Sequence, residues 1–216
     1  MFNNFYLKCI NSLLVYTYKK NVKQYGFTPR GLFWNSRESQ ENRFKVLIKL
    51  LLKYSINIDK NTNRIADVGC GYGDLNLFLA KNFKKKFSYK GYDINKEFVD
   101  FCKESQRESA ELFFVSDYPL EICDFSVMNG TYNYAVYKSI NRWEKYLIHN
   151  LKKCFEQSKL GIIFNLQSAH SPKIVNSIFY TNRLIMEEKL KKIFSHVYSF
   201  YFSSTPNDIY FVILNT

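Results

Sequence analysis

Two apolar periods alternate along this chain. Short runs of strand length occur at residues 64–68, 87–93, 111–115, 124–128 and 162–166, and between them apolar residues fall at helical spacing. The clearest helical stripe is Phe44, Leu47, Ile48 and Leu51, behind Asn35-Ser36-Arg37-Glu38, which fits a capping box with Asn in place of Ser or Thr. Followed backwards, the stripe meets Arg43, Gln40 and Ser36, so the inward line turns polar where the helix begins, as a cavity wall would. A helix is also expected up to about Lys23, docked by Phe5, Leu13, Leu14 and Tyr16. Further helices are expected at 76–80, at 96–107 around Phe98, Phe101 and Cys102, and near 183–193. Another spans 140–157 on Trp143, Tyr146, Leu147, Leu151 and Phe155. Two closing strands, 196–203 and 209–214, flank the turn Thr205-Pro206-Asn207-Asp208. Strands alternating with helices predict an α/β fold with a parallel sheet, closed by an antiparallel hairpin.

The first strand ends in Asp67-Val68-Gly69-Cys70-Gly71-Tyr72-Gly73-Asp74, and a helix follows. Glycines at alternate positions allow a tight turn that approaches a ligand, and the helix start offers free N–H groups to an anionic moiety. A dinucleotide fingerprint fails, because its third glycine falls on Asp74 or, one step later, Asn76. No G-x-x-x-x-G-K-[ST] run marks a P-loop. The second strand ends at Asp93, about 20 residues further on, where a carboxylate can accept hydrogen bonds from a ribose diol.

Asp-x-Gly-x-Gly-x-Gly resembles the first motif of the class I S-adenosylmethionine (SAM) methyltransferases. The resemblance implies a Rossmann-like seven-stranded sheet in the order 3-2-1-4-5-7-6 with an antiparallel closing strand, here behind an N-terminal helical cap. The division expected is residues 1–58 as cap and 59–216 as SAM-binding core, one domain in all. It implies SAM contacts from Asp67, Gly69, Cys70, Gly71 and Gly73, ribose held by Asp93 beside Ile94, and adenine met by Asp117 and Tyr118. Asn129 and Gly130 follow the fourth strand beside the methyl donor, with Tyr132 and Tyr134 toward the acceptor. Trp34-Asn35-Ser36-Arg37-Glu38-Ser39-Gln40 with Arg43-Phe44 resembles an N-terminal signature of some small bacterial class I enzymes, which implies a lid with Gln40 and Arg43 at the cofactor. His170, in the loop after the fifth strand, is the candidate general base, and Tyr132 an acceptor-positioning hydroxyl.

With 216 residues, 46% of them hydrophobic, the chain can fill one α/β core, and no apolar run has membrane-spanning length. The N-terminus lacks the basic region and cleavage site of a signal peptide, and five scattered cysteines without C-x-x-C suit reduced thiols, so a cytoplasmic protein without a metal site is expected. The net charge of +12 could serve RNA, but the basic residues are dispersed, with Lys84-Lys85-Lys86 the only run, amid the Asn, Ile, Phe and Tyr typical of AT-rich genomes. The Asp/Asn-Pro-Pro-Tyr run of amino-methylating nucleic-acid enzymes is absent, as is a Pro-Cys nucleophile. The expected activity is methyl transfer to oxygen or nitrogen of a small polar metabolite or sugar, phosphorylated or not. An RNA methyltransferase and a SAM-binding protein without catalysis are the alternatives.

Overall fold

The computed structural model describes residues 4–55, 63–83 and 86–215. The expected boundary after residue 58 and most of the Lys84–Lys86 run lie outside these residues. The strands are β1 (Asn63–Val68), β2 (Phe87–Asp93), β3 (Phe113–Val115), β4 (Cys123–Met128), β5 (Ser158–Ser168), β6 (Lys173–Val175), β7 (Ile178–Thr181), β8 (His196–Phe200) and β9 (Asp208–Leu214). The helices are α1 (Asn4–Tyr25), α2 (Arg37–Tyr54), α3 (Asp74–Asn82), α4 (Lys96–Ser105), α5 (Ile140–Glu156) and α6 (Arg183–Lys191).

β1 is central, parallel to β2 on one side and β4 on the other, with β3 beyond β2 and β5 beyond β4. β9 runs antiparallel to β5, and β8 closes the edge antiparallel to β9. The main strands therefore lie in the order 3-2-1-4-5-9-8, the expected order with two strands added to the count. The added pair is the hairpin β6–β7, over a segment where the sequence pattern suggests no strand. β7 pairs with Gln167 and Ser168, beyond the point where β4 ends opposite Phe164, while β9 holds the other edge of Gln167. The hairpin thus continues the sheet where β4 stops, at the carboxyl edge.

Alternation along the strands builds two cores. Ala66, Val68, Met128, Ile162 and Phe164 face α5 and α6, where Trp143, Leu147, Leu151, Met186 and Leu190 are buried. Ile65, Phe125, Val127, Ile163 and Val212 face α2, α3 and α4. The stripe Phe44, Leu47, Ile48 and Leu51 is buried there, so α2 is a layer helix packed on the sheet as well as the start of a lid. Its cap is Ser36, whose hydroxyl accepts from Ser39 N at 3.0 Å, one residue later than the expected Asn35. α1 docks through Ile10, Leu14 and Val22, while Phe5, Leu13 and Tyr16 are exposed, 73% in the case of Phe5. Its polar-rich composition hides this stripe: Ile10 and Leu14 pack in the cluster that holds α5, and Val22 packs with Tyr72 and Phe98.

Trp143 is fully buried, and its indole Nε1 donates to Tyr132 O at 2.9 Å, tying α5 to the segment after β4. Trp143→Ala should cost about 3–5 kcal/mol in chemical denaturation, the range for deleting a large buried aromatic.

Candidate active site

At the end of β1 the chain turns through Gly69-Cys70-Gly71-Tyr72-Gly73 into α3, and the turn is pinned from β2. The amides of Gly69 and Cys70 both donate to Tyr92 O, at 2.7 and 3.1 Å, and Gly71 N donates to Asp93 Oδ2 at 3.0 Å. Gly71 has φ +56, and a Cβ there would stand 2.7 Å from Leu32 Cδ1, so this position needs glycine on both counts. Thr131 Oγ1 donates to Val68 O at 2.8 Å, joining the ends of β1 and β4.

Asp93 is buried at the end of β2, and its Oδ1 accepts from Asn95 N at 2.8 Å. Asn95 caps α4 by accepting from Glu97 N at 3.1 Å, so capping does not account for Asp93. A carboxylate has about four lone-pair sites, and the amides of Asn95, Gly71 and Ile94 still leave room for a ligand. Burial pushes its pKa up to about 6, against the backbone N–H bonds that lower it.

These elements floor a cleft of about 770 Å³ lined by Gly69, Gly71, Asp93, Ile94, Asp117, Asn129, Gly130 and Tyr132, among others. Leu14, Val15 and Tyr18 of α1, with Leu32 and Trp34, form its other wall. Both amide atoms of Asn129, and Oδ1 of Asn150, are buried without a hydrogen-bond partner. Orphaned buried amides cost on the order of 1–3 kcal/mol each, so they mark where a polar ligand would be held. The volume, the glycine cradle, the open lone pairs of Asp93 and these amides fit a nucleoside bearing a polar tail.

A second cavity of about 670 Å³ shares Tyr18, Leu32, Trp34 and Gly130 with the first, and adds Ser39, Arg43, Asn133, Tyr134, Gln167 and Tyr180 among its walls. A closed circuit surrounds the junction. Gly130 N donates to Asn165 Oδ1 at 2.7 Å, and Asn165 Nδ2 to Asp208 Oδ1 at 2.8 Å. Gln167 Nε2 donates to the same oxygen at 2.8 Å, and Arg43 Nη2 lies 2.8 Å from Asp208 Oδ2. The Arg43 guanidinium sits 5.1 Å from the centroid of Trp34, whose ring lies where a Cβ on Gly130 would come within 2.7 Å. Burial pushes the Asp208 carboxyl up, and Arg43 opposes that.

The structure separates the expected site residues into those on the cleft wall and those elsewhere. Asp67 lies behind the loop, accepting from Tyr89 OH at 2.8 Å, and Cys70 is buried against Cys102. Gly73 caps α3, with Phe113 and Gln106 where its Cβ would go. These three shape the loop. Gln40 is spent on Asp74 Oδ2 at 3.0 Å, and Arg43 faces the second cavity, so the polar stripe of α2 does not line the cleft. Tyr118 stands beside the cleft beneath the Lys153 ammonium, 4.0 Å from its centroid, and Lys153 also pairs with Asp117 at 2.6 Å. Tyr132 lines the cleft, but its hydroxyl is turned to Met128 Sδ at 3.7 Å. His170 is exposed and lines neither cavity, because the chain turns outward there into β6–β7. Tyr18 and Asn150 also line the cleft, though neither belongs to a sequence motif. Asn150 carried a signal, a polar residue on the buried stripe of α5 between Leu147 and Cys154.

Asp67 is 4% exposed, and burial pushes its pKa up to about 7, only partly offset by Tyr89. A carboxyl raised in the folded state favours folding below its unfolded pKa, and that contribution is lost as pH rises through about 7. Asp67→Asn keeps an acceptor for Tyr89 and should raise the melting temperature of the ligand-free protein at pH 8 by several degrees. At about pH 4, near the unfolded value, the melting temperatures should be close.

Residues 40–138 match the family model of the methyltransferase small domain. No curated protein matches the sequence significantly. Among solved structures, the magnesium protoporphyrin IX methyltransferase of Synechocystis PCC 6803, determined with bound SAM, is similar at TM-score 0.54 and 12% identity, over 83% of this chain and 80% of that one. The methyltransferase domain of bacterial CtHen1 aligns at TM-score 0.56 and 15% identity, over 82% of this chain and 100% of that one. The PH0226 protein of Pyrococcus horikoshii OT3 aligns at 0.54 and 17%, over 84% and 92%. At these identities the likeness is one of fold, and the glycine loop and Asp93 fall within the matched residues. The family-model match spans less than half of the chain, and with a cleft that fits SAM the chain is similar in fold to the class I, Rossmann-like SAM-dependent methyltransferases.

Proposed function

We propose that the chain methylates an oxygen or nitrogen of a small polar acceptor bound in the second cavity. The observation that carries this reading is the shared wall: Trp34 and Gly130 belong to both cavities, so donor and acceptor would meet at that junction. Asp93 would accept from the ribose hydroxyls, Asp117 would meet the base, and the orphaned Asn129 amide would satisfy the polar tail or the reacting group. SAM supplies a methyl group already activated on a sulfonium. The chain's own task is therefore alignment and exclusion of water, the source of large effective molarities. Trp34, held by Arg43 and pressed on Gly130, keeps the junction narrow. The acceptor's proton leaves to solvent through the open mouth of its cavity, and no histidine stands at the junction among the described residues.

An RNA acceptor, which the net charge of +12 admits, has less support. Among the described residues lining either cavity Arg43 is the one Lys or Arg, and Asp208 already pairs with it. Five free cysteines fit a reducing, cytosolic setting.

Calorimetry with SAM and its demethylated product S-adenosylhomocysteine tests the cofactor half. Asp93→Ala should weaken both by about 1.5–3 kcal/mol, the worth of hydrogen bonds to a charged acceptor. Equal affinity in the variant would overturn the assignment. His170→Ala, in contrast, should keep wild-type turnover of any acceptor found.

A further inference from the structure

The second cavity is walled by rings. Phe33 and Tyr134 stack with centroids 4.5 Å apart at 21°, Tyr18 meets both at 5.2 and 5.9 Å, and Trp34 and Tyr180 complete the wall. The lining also carries the amides of Asn35, Asn133 and Gln167. Asn133 Oδ1 accepts from Gln167 N at 3.2 Å and Gln167 Nε2 donates to Asp208, leaving Asn133 Nδ2 and Gln167 Oε1 to a ligand. Such a surface offers flat apolar faces for stacking and neutral donors and acceptors for hydroxyl or carbonyl substituents.

Its charge is balanced. Among the described residues Arg43 is the only Lys, Arg, Asp, Glu or His in the lining, and its guanidinium makes three kinds of contact. Nη1 donates to Ser39 O and Oγ, Nη2 pairs with Asp208 at 2.8 Å, and the face lies on Trp34. Nε is buried without a hydrogen-bond partner, so one donor of this ion pair remains for a ligand oxygen. Asp208 is fully buried behind it and held by Asn165 and Gln167, so the pair reaches the cavity as a neutral unit. Lys173, outside the lining, is exposed and sits 5.6 Å from the Tyr180 centroid. A phosphate or carboxylate entering here would lose its hydration without gaining an uncompensated counter-charge.

We propose that the acceptor is an uncharged aromatic alcohol, a phenol-type ring stacked on the Phe33–Tyr134 pair, with its substituents on the amides. This rests on the methyl-transfer reading and narrows its acceptor. In the transfer the phenolic C–O–CH₃ bond forms as the donor's S–CH₃ bond breaks, its electron pair staying on sulfur, and the hydroxyl proton goes to water.

Saturation-transfer NMR titrations with 2-naphthol, 2-naphthyl phosphate and methyl glucoside, on the protein saturated with S-adenosylhomocysteine and on the ligand-free protein, test the proposal. 2-Naphthol should bind at least about ten-fold more tightly than either other probe, since stacking is retained and no charge is buried. Tyr134→Ala should weaken it by about ten-fold while leaving S-adenosylhomocysteine affinity intact, and Tyr134→Phe should restore it. Tighter binding of the phosphate or of the glucoside, or no effect of Tyr134→Ala in a variant that still binds S-adenosylhomocysteine, would overturn it. Failure of S-adenosylhomocysteine to bind would strike the cofactor reading instead, and the ligand-free titrations would still decide the cavity's preference.

Discussion

The site depends on one constraint, the anchoring of the glycine turn to the end of β2. Tyr92 O takes two amides of the turn and Asp93 takes a third, so the loop after β1 is positioned by the strand beside it. That arrangement requires β1 and β2 to be in register, Val68 opposite Tyr92, with both strands ending at the same edge. It also explains why buried acids collect there. Asp67 and Asp93 sit where backbone N–H groups and tyrosine hydroxyls converge, and both carboxyls are pushed up by burial. Such raised values inside a cleft-forming loop are typical of functional regions, at a cost in stability of the empty protein.

The other half of the site is assembled from distant parts of the chain. Trp34 comes from the turn before α2, Arg43 from α2, Gly130 from the end of β4, Asn165 and Gln167 from β5, and Asp208 from the first residue of β9. Because β9 lies antiparallel to β5, Asp208 falls opposite Gln167 and beside Asn165, where two amides neutralise its burial and Arg43 completes the pair. A buried ion pair held between neighbouring amides adds geometric definition more than net stability. Here it sets the position of the indole between the two cavities.

The first helix has a comparable role on the opposite wall. Its buried side, Ile10, Leu14 and Val22, docks it on the folded core, which brings Leu14, Val15 and Tyr18 over the cleft. Burial and the neighbouring Asp93 raise the Tyr18 hydroxyl, so it stays protonated. The family model begins at residue 40, and α1 lies outside it.

The sequence by itself determined the parallel α/β class, the central strand with its glycine turn, the acid at Asp93, and the helical stripes of α2 and α5. Each of these is written in local period or in spacing along a single βα unit, so no distant contact is needed to read it. Asp67, Cys70 and Gly73 belong to the same motif, yet their side chains or backbone support the loop from behind, a difference that only the packing of Tyr89, Cys102 and Phe113 decides. Gln40 and Arg43 share a polar stripe, but α2 sends one to Asp74 and the other to Asp208, since their partners arrive from α3 and β9. His170 follows the right strand and still points away, because the β6–β7 hairpin continues the sheet beyond β4 and carries the loop outward. What stacks beside Gly130, and what faces the second cavity, depends on residues separated by up to about 170 positions. Only the folded sheet brings them within bonding distance.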